Sequence, residues 1–318
     1  MNKRNKWILA GLALAPAAGI VGLSDYFLRT ATSRTQPRSL QLIVGLLQGL
    51  KKGEDPYAEL VPDQERLLNS PHERVCITAH DGKKLVGHWF ERPGAQRVIL
   101  AVHGWRSAWY RDFGASQDFY RDEHCHVLYI DQRGQGESEG DYIGFGMLER
   151  LDLPDWVAWI NARCGDALPI YLAGISMGAT TVLLASELDY PPNVKGVMAD
   201  CGFTSADAIW RHVADDNLHV PYVLMRRTAA LLCRRRLGCW PAALTTTQAL
   251  SRTKLPLLLV HGEADAFVPF SMTRENYEAC TTPKRMLLVP GAAHGLSYVA
   301  DREAYENAVR DFWKDCEK

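Results

Sequence analysis

The stretch Ile170-Tyr171-Leu172-Ala173-Gly174-Ile175-Ser176-Met177-Gly178-Ala179-Thr180-Thr181-Val182-Leu183-Leu184-Ala185 decides the architecture. A short apolar run leads into a G-x-S-x-G pentapeptide, and helix-length sequence without charge follows to about Ala185 and Leu184. A strand that turns abruptly into a helix at a serine holds the hydroxyl clear of the sheet. It also sets it at the helix N-terminus, where the dipole favours a developing negative charge. The residues two positions to either side crowd such a turn, so they must lack side chains. Ser176 is therefore the predicted nucleophile.

Outward from this point the same rhythm repeats. Arg74–Ala79 and Leu85–Glu91 flank Asp81-Gly82, a hairpin signal. Short apolar runs follow at Val98–Val102, Val127–Ile130, Ile170–Ala173, Val194–Ala199, Leu257–Val260 and Met286–Val289, and they read as strands buried on both faces. Helix-length segments lie between them, roughly Met147–Arg163, Met177–Leu188, Ser271–Ala279 and Arg302–Trp313. An antiparallel start followed by repeated β-α units predicts an α/β doubly wound fold with functional groups at the carboxyl ends of the strands. Phe203–Arg252 breaks the rhythm with helical sequence and no strand, so it is predicted to be a helical cap over the site.

A serine hydroxyl needs a base, and the base needs an orienting carboxylate. The order for this architecture is serine, acid, histidine. His294 follows the last predicted strand in Pro290-Gly291-Ala292-Ala293-His294-Gly295 and is the predicted base. His261 ends a strand and is expected to pack there; His212 and His219 fall in the cap. Asp265, in the loop after the penultimate strand, is the predicted acid, with Glu263 its rival. The oxyanion donors are the backbone N–H groups of Met177 and of Trp105, the latter in His103-Gly104-Trp105 after Val98–Val102. Trp105, Trp109 and Tyr110 are candidate walls of a substrate pocket.

The rest of the chain bounds the function. With 318 residues, 47% hydrophobic content and a formal net charge of −1, it can bury a large core and offers no broad basic surface to nucleic acid. Eight cysteines are scattered with no C-x-x-C pair, so they read as small packed thiols and not as a zinc site. His124 and His126 flank Cys125 with no third ligand apparent, so no metal is assigned. Arg226, Arg227 and Arg234 to Arg236 surround Leu231 and Leu232 in the cap, a solvated face by default but one able to meet an anionic substrate or anionic lipid.

At the other end, Lys3, Arg4 and Lys6 precede an uncharged stretch from Trp7 to Leu23. A signal peptide cut near Ala15 to Gly19 and a soluble N-terminal helix compete with a membrane anchor, and the length of the run favours the anchor. The leading basic residues predict a single membrane-anchoring segment with the catalytic domain outside the cytoplasm. Leu40, Ile43, Leu47 and Leu50 recur at helical spacing before Lys51-Lys52-Gly53, predicting an amphipathic helix. The organisation is thus an anchor and amphipathic helix over residues 1–60, then a catalytic domain over 61–318 with its cap at about 203–252.

Together these motifs resemble the α/β-hydrolase superfamily, and within it the bacterial membrane-anchored BEM46-like and serine aminopeptidase S33-like hydrolases. The resemblance runs from about Val75 onward through His103-Gly104, Asp131-Gln132-Arg133-Gly134-Gln135-Gly136-Glu137-Ser138, Gly174 to Gly178, Asp200-Cys201-Gly202-Phe203-Thr204-Ser205, Asp265 to Pro269 and Gly291 to His294. It implies the α/β-hydrolase fold, a mostly parallel central sheet flanked by helices with a small helical cap. It also implies ester hydrolysis without a cofactor through Ser176, Asp265 and His294. Ala179 departs from the second glycine that many relatives carry. Asp131 and Arg133 read as structural buttresses. Two other functions stay open: an amide or peptide hydrolase, for which Asp207, Asp215 or Asp216 would bind a substrate amine, and a non-catalytic binding protein on the same fold.

Overall fold

The computed structural model describes residues 3–35 and 57–318, with side chains from residue 18 onward. The predicted amphipathic helix over Leu40–Leu50 lies outside the described residues. Eight strands are present: β1 (Glu73–Thr78), β2 (Lys84–Phe90), β3 (Arg97–Val102), β4 (Cys125–Ile130), β5 (Ile170–Ile175), β6 (Val194–Asp200), β7 (Leu257–Gly262) and β8 (Lys284–Val289). They form one sheet in the order β1-β2-β4-β3-β5-β6-β7-β8. β1 and β2 make the antiparallel hairpin, β2 pairs antiparallel with β4, and from β4 to β8 every pairing is parallel. The main helices are α1 (Lys3–Thr32), α2 (Val61–Asn69), α3 (Leu153–Cys164), α4 (Met177–Ala185), α5 (Ala206–His212), α6 (Tyr222–Leu237), α7 (Phe270–Ala279) and α8 (Arg302–Cys316).

Every residue of β3 is buried, and its side chains alternate between two cores, as strand geometry requires. Val98, Leu100 and Val102 join Trp156 and Ile160 of α3 and Val182 of α4 on one face. Ile99 and Ala101 join Trp109, Phe119, Phe312 and Trp313 on the other. Burial on both faces is what an uninterrupted aliphatic run with no polar alternation demands. Because β3 sits between β4 and β5, the chain leaves in opposite directions on either side of it, and the crevice at that switch point is where a ligand site forms.

A third apolar cluster lies under the cap. Phe145, Met177, Phe203, Trp210 and Met225 meet there with Leu28 and Ala31 of α1. The sequence had suggested an apolar segment ending at Leu23. Instead α1 continues to Thr32, and its second half is a structural part of the catalytic body: Ser24, Leu28 and Thr32 are fully buried. Phe27 meets the Tyr222 ring of α6 at 6.3 Å, and Asp25 pairs with Arg236. Among the described residues no helix is long and apolar enough to cross a membrane. The predicted cap segment, about 203–252, is helical here. Its last helical turn, Thr246–Leu250, packs on the body, with the Thr246 hydroxyl bonded to the Thr204 carbonyl and to Asn276.

The turn bearing Phe145 depends on one buried acid. Glu149 accepts the N–H groups of Gly144 (2.5 Å) and Gly146 (2.9 Å) and is almost wholly buried. Burial pushes its carboxyl up to about 7, although the Gly144 amide pulls the other way. A value raised above the ordinary 4.5 means that the native state keeps a proton the unfolded chain has lost. Stability from this group is therefore complete below about 4.5 and declines as pH rises to about 7. Glu149→Gln should remove that decline: across urea-melt midpoints the variant gains on the wild type between these two pH values, and parallel curves would contradict the assignment.

Candidate active site

Register brings the parts together before any side chain is considered. Val102 of β3 lies opposite Gly174 of β5 and Ile130 of β4, so the loops following these three strands emerge side by side. Ser176 ends the β5 loop with φ 56° and ψ −117°, a conformation most side chains avoid. A Cβ on Gly178 would lie 1.9 Å from the Val102 carbonyl oxygen, and one on Gly174 would lie 2.3 Å from the Gly178 backbone. Both glycines are thus set by close backbone approach. The Ser176 N–H donates to the Asp200 carbonyl at 2.9 Å, which ties the strained turn to β6.

The Ser176 hydroxyl lies 2.9 Å from Nε2 of His294, and Nδ1 of His294 lies 2.7 Å from Oδ2 of Asp265. The other Asp265 oxygen accepts the N–H groups of Phe267 and Val268, each at 2.9 Å. Burial alone would raise the Asp265 carboxyl, but His294 and these amides hold it below the usual carboxylate range. It is therefore ionised at neutral pH and fixed in orientation. Tyr57 donates to the His294 carbonyl at 2.9 Å and braces that loop. His261 is buried, bonded to Thr273 and to the Val268 carbonyl, and so packs beneath the acid loop. Glu263 is exposed.

The structure places Met177 at the first position of α4, directly after Ser176, and Trp105 in the loop after β3, where it lines the same cavity as Ser176. Gly104 sits close beside the nucleophile, since a Cβ there would lie 3.3 Å from both the Ser176 Cβ and an Asp112 carboxylate oxygen. Its N–H donates to Asp112 at 2.6 Å, and the same carboxylate accepts the Ser107 hydroxyl. Gln132 donates to the His103 carbonyl (2.6 Å) and accepts from Thr181 of α4, while Gln135 accepts the Arg106 N–H. The Asp131–Ser138 segment therefore frames this loop. Asp112 escaped the sequence reading, and Gln132 entered it only as a motif residue without a role, because isolated polar residues in loops carry no periodic signal.

A cavity of about 250 Å³ opens over Ser176. Its walls are almost entirely apolar and include Trp105, Phe145, Phe203, Trp210, Met225 and Phe267, with Phe27, Thr30 and Ala31 of α1 opposite. Trp109 and Tyr110 do not wall it, which corrects the expectation. Trp109 is only 3% exposed and stacks on His88 and Tyr129 in the second core, with Tyr110 packed against its edge. The acidic cap residues are also accounted for elsewhere: Asp207 holds Arg226, Asp215 accepts the Tyr222 N–H, and Asp216 pairs with His212.

In sequence, the profile of the alpha/beta hydrolase fold matches residues 97–251, and that of TAP-like proteins matches 225–318. The chain has the α/β-hydrolase fold, and the two profiles together run from residue 97 to 318. The chain is 26% identical over 186 residues to the uncharacterized protein YqkD of Bacillus subtilis, an alignment covering 58% of this chain and 61% of YqkD. It is 26% identical over 251 residues to the uncharacterized protein YfhR of Escherichia coli, covering 76% and 80% of the two chains. Among solved structures, the Pyrococcus furiosus esterase Pf2001 superposes with a TM-score of 0.64 at 24% identity, over 80% of this chain and 95% of that one. An acylaminoacyl peptidase of Pyrococcus horikoshii superposes at 0.57 with 16% identity, over 77% and 41%. At these identities the superpositions establish the fold.

In this fold α1 is clamped to the loop after β3. The Trp105 indole donates to the Ala31 carbonyl at 2.8 Å, and the Arg106 guanidinium donates to the carbonyls of Thr30 (2.9 Å) and Ser33 (2.6 Å). A cation at the end of α1 satisfies carbonyls that have no partner within the helix. Hydrogen bonds to a charged donor contribute about 1.5 kcal/mol even at the weak end. Arg106→Ala should therefore raise the rate of limited tryptic cleavage after Arg29 and Arg34 roughly tenfold. Cleavage at the wild-type rate would show that the clamp does not hold the helix.

Proposed function

We propose that this hydrolase cleaves carboxylic esters by a serine mechanism, with Ser176 as nucleophile, His294 as base and Asp265 as the orienting acid. The observation that carries the reading is the continuous hydrogen-bonded chain from the Ser176 hydroxyl through His294 to an ionised Asp265, opening on an apolar cavity. His294 Nε2 takes the hydroxyl proton as the Ser176 oxygen bonds to the ester carbonyl carbon. The Met177 and Trp105 amides then meet the oxyanion. Collapse expels the alcohol, which receives the proton from His294, and leaves an acyl-serine. Water, deprotonated by His294, attacks that acyl group; the acid departs and Ser176 regains its proton.

The apolar walls favour an acyl group over a charged one. At about 250 Å³ the cavity is below the roughly 300–1,000 Å³ of drug-sized sites, a volume suited to a single chain. An aminopeptidase would need a carboxylate facing the substrate amine, and among the described residues none that lines this cavity is acidic. The esterase reading is also supported by the fold shared with Pf2001, which is itself an esterase. We further propose that the run Trp7–Leu23, led by Lys3, Arg4 and Lys6, anchors the chain at a membrane with the catalytic body outside the cytoplasm.

A panel of p-nitrophenyl esters of increasing acyl length, set against aminoacyl p-nitroanilides, tests the reaction class. Esters of intermediate chain length should turn over best, and Ser176→Ala should lose at least about a thousandfold in kcat. Turnover of the anilides alone would refute the ester assignment.

A further inference from the structure

The mouth of the cavity and the outer face of the cap point to where the acyl chain comes from. Leu23 and Tyr26 of α1 line the cavity and are also 45% and 41% exposed, so they form its rim. Leu218 and Val220 complete that side, and α6 begins two residues later. On α6 the apolar side chains Val223, Leu224 and Leu231 are 78%, 59% and 60% exposed. At 3.6 residues per turn they share one face with Arg227, Arg234 and Arg235, which are exposed as well. No aspartate or glutamate occurs anywhere in this helix.

Two of its five arginines are engaged within the fold: Arg226 with Asp207, and Arg236 with Asp25 of α1. Among the described residues, Arg227, Arg234 and Arg235 have no carboxylate partner. Three large aliphatic side chains exposed on one face lack apolar cover, while the guanidiniums beside them are solvated and free to meet an anion. They match the boundary of an anionic bilayer, where the arginines meet headgroups and the aliphatic side chains enter the acyl region. An acidic protein would satisfy the charges but would leave Leu224 and Leu231 without a matching apolar layer over so short a helix. The apolar sequence Trp7–Leu23 runs directly into the rim at Leu23 and Tyr26.

We propose that the exposed face of α6, together with the rim residues of α1, docks on an anionic lipid bilayer, and that the ester cleaved at Ser176 is a lipid whose acyl chain enters the cavity past Leu23 and Tyr26. This rests on the ester-hydrolase reading above, and it names the substrate class. Docking positions the cavity mouth at the lipid surface, so a chain can pass from bilayer to cavity without crossing water.

The test uses the full chain and vesicles of phosphatidylcholine with or without phosphatidylglycerol. Hydrogen exchange in peptides spanning 222–237 should slow on adding the anionic vesicles and stay unchanged with phosphatidylcholine alone. The combined variant Arg227→Glu, Arg234→Glu and Arg235→Glu should lose that protection. It should also lose at least tenfold in turnover of a long-chain ester embedded in anionic vesicles, while hydrolysing a soluble short-chain p-nitrophenyl ester at the wild-type rate. Protection absent in the wild type, or retained in the triple variant, overturns the docking. Slow exchange at 222–237 without lipid that depends on protein concentration would assign the face to a second copy of the chain, and also overturns it. Failure of the wild type on the soluble ester, by contrast, would strike the ester-hydrolase reading and leave the docking result standing by itself.

Discussion

The backbone of Gly178 passes so close to the Val102 carbonyl that a single methyl group would overlap it, and most of what lies above the sheet follows from that approach. The contact forces β5 to turn into α4 within one residue, which puts Ser176 in a strained conformation. Strain persists only where the surroundings over-determine it. Here the Asp200 carbonyl holds the Ser176 amide, and two fully buried sheet faces hold β3 and β5 in register. With Ser176 so fixed, His294 needs only to arrive from the loop after β8, and Asp265 from the loop after β7.

The second constraint is the joint between α1 and the loop after β3. One loop supplies the Trp105 ring as a cavity wall and the Trp105 and Arg106 donors that hold α1. Burial without an acidic partner pulls the Arg106 guanidinium down to about 10, still charged at neutral pH. A helix that reads in sequence as a tether is thereby part of the substrate wall. In this account the helix position, the cavity shape and the donor geometry change together.

The sheet and the Ser176, His294 and Asp265 positions were legible because each sits on a strong local signal: an aliphatic run with a glycine-rich loop at its end. The eight strands fall where those runs fall. The cavity walls were not legible. Phe145, Trp210 and Phe267 come from three separate connections, and nothing local says that they converge. Trp109 and Tyr110 were read as walls because they follow the donor loop directly. The short helix Trp109–Phe113 instead turns Trp109 inward onto His88 and Tyr129. The extent of α1 was hidden for a similar reason. Asp25 and Arg29 look like the end of an apolar segment, yet they pair with each other, and Asp25 also pairs with Arg236 across the helix junction.

The proposed chemistry requires the Ser176 hydroxyl to be activated as a nucleophile. Intact-mass measurement after brief exposure to a fluorophosphonate tests this most directly, because the reagent reacts with a serine whose proton is being removed by a neighbouring base. One adduct per chain, mapped to the peptide holding Ser176 and absent from Ser176→Ala and His294→Ala, is the predicted result. Folded wild-type protein that takes up no adduct, or takes up the same adduct in Ser176→Ala, would contradict it.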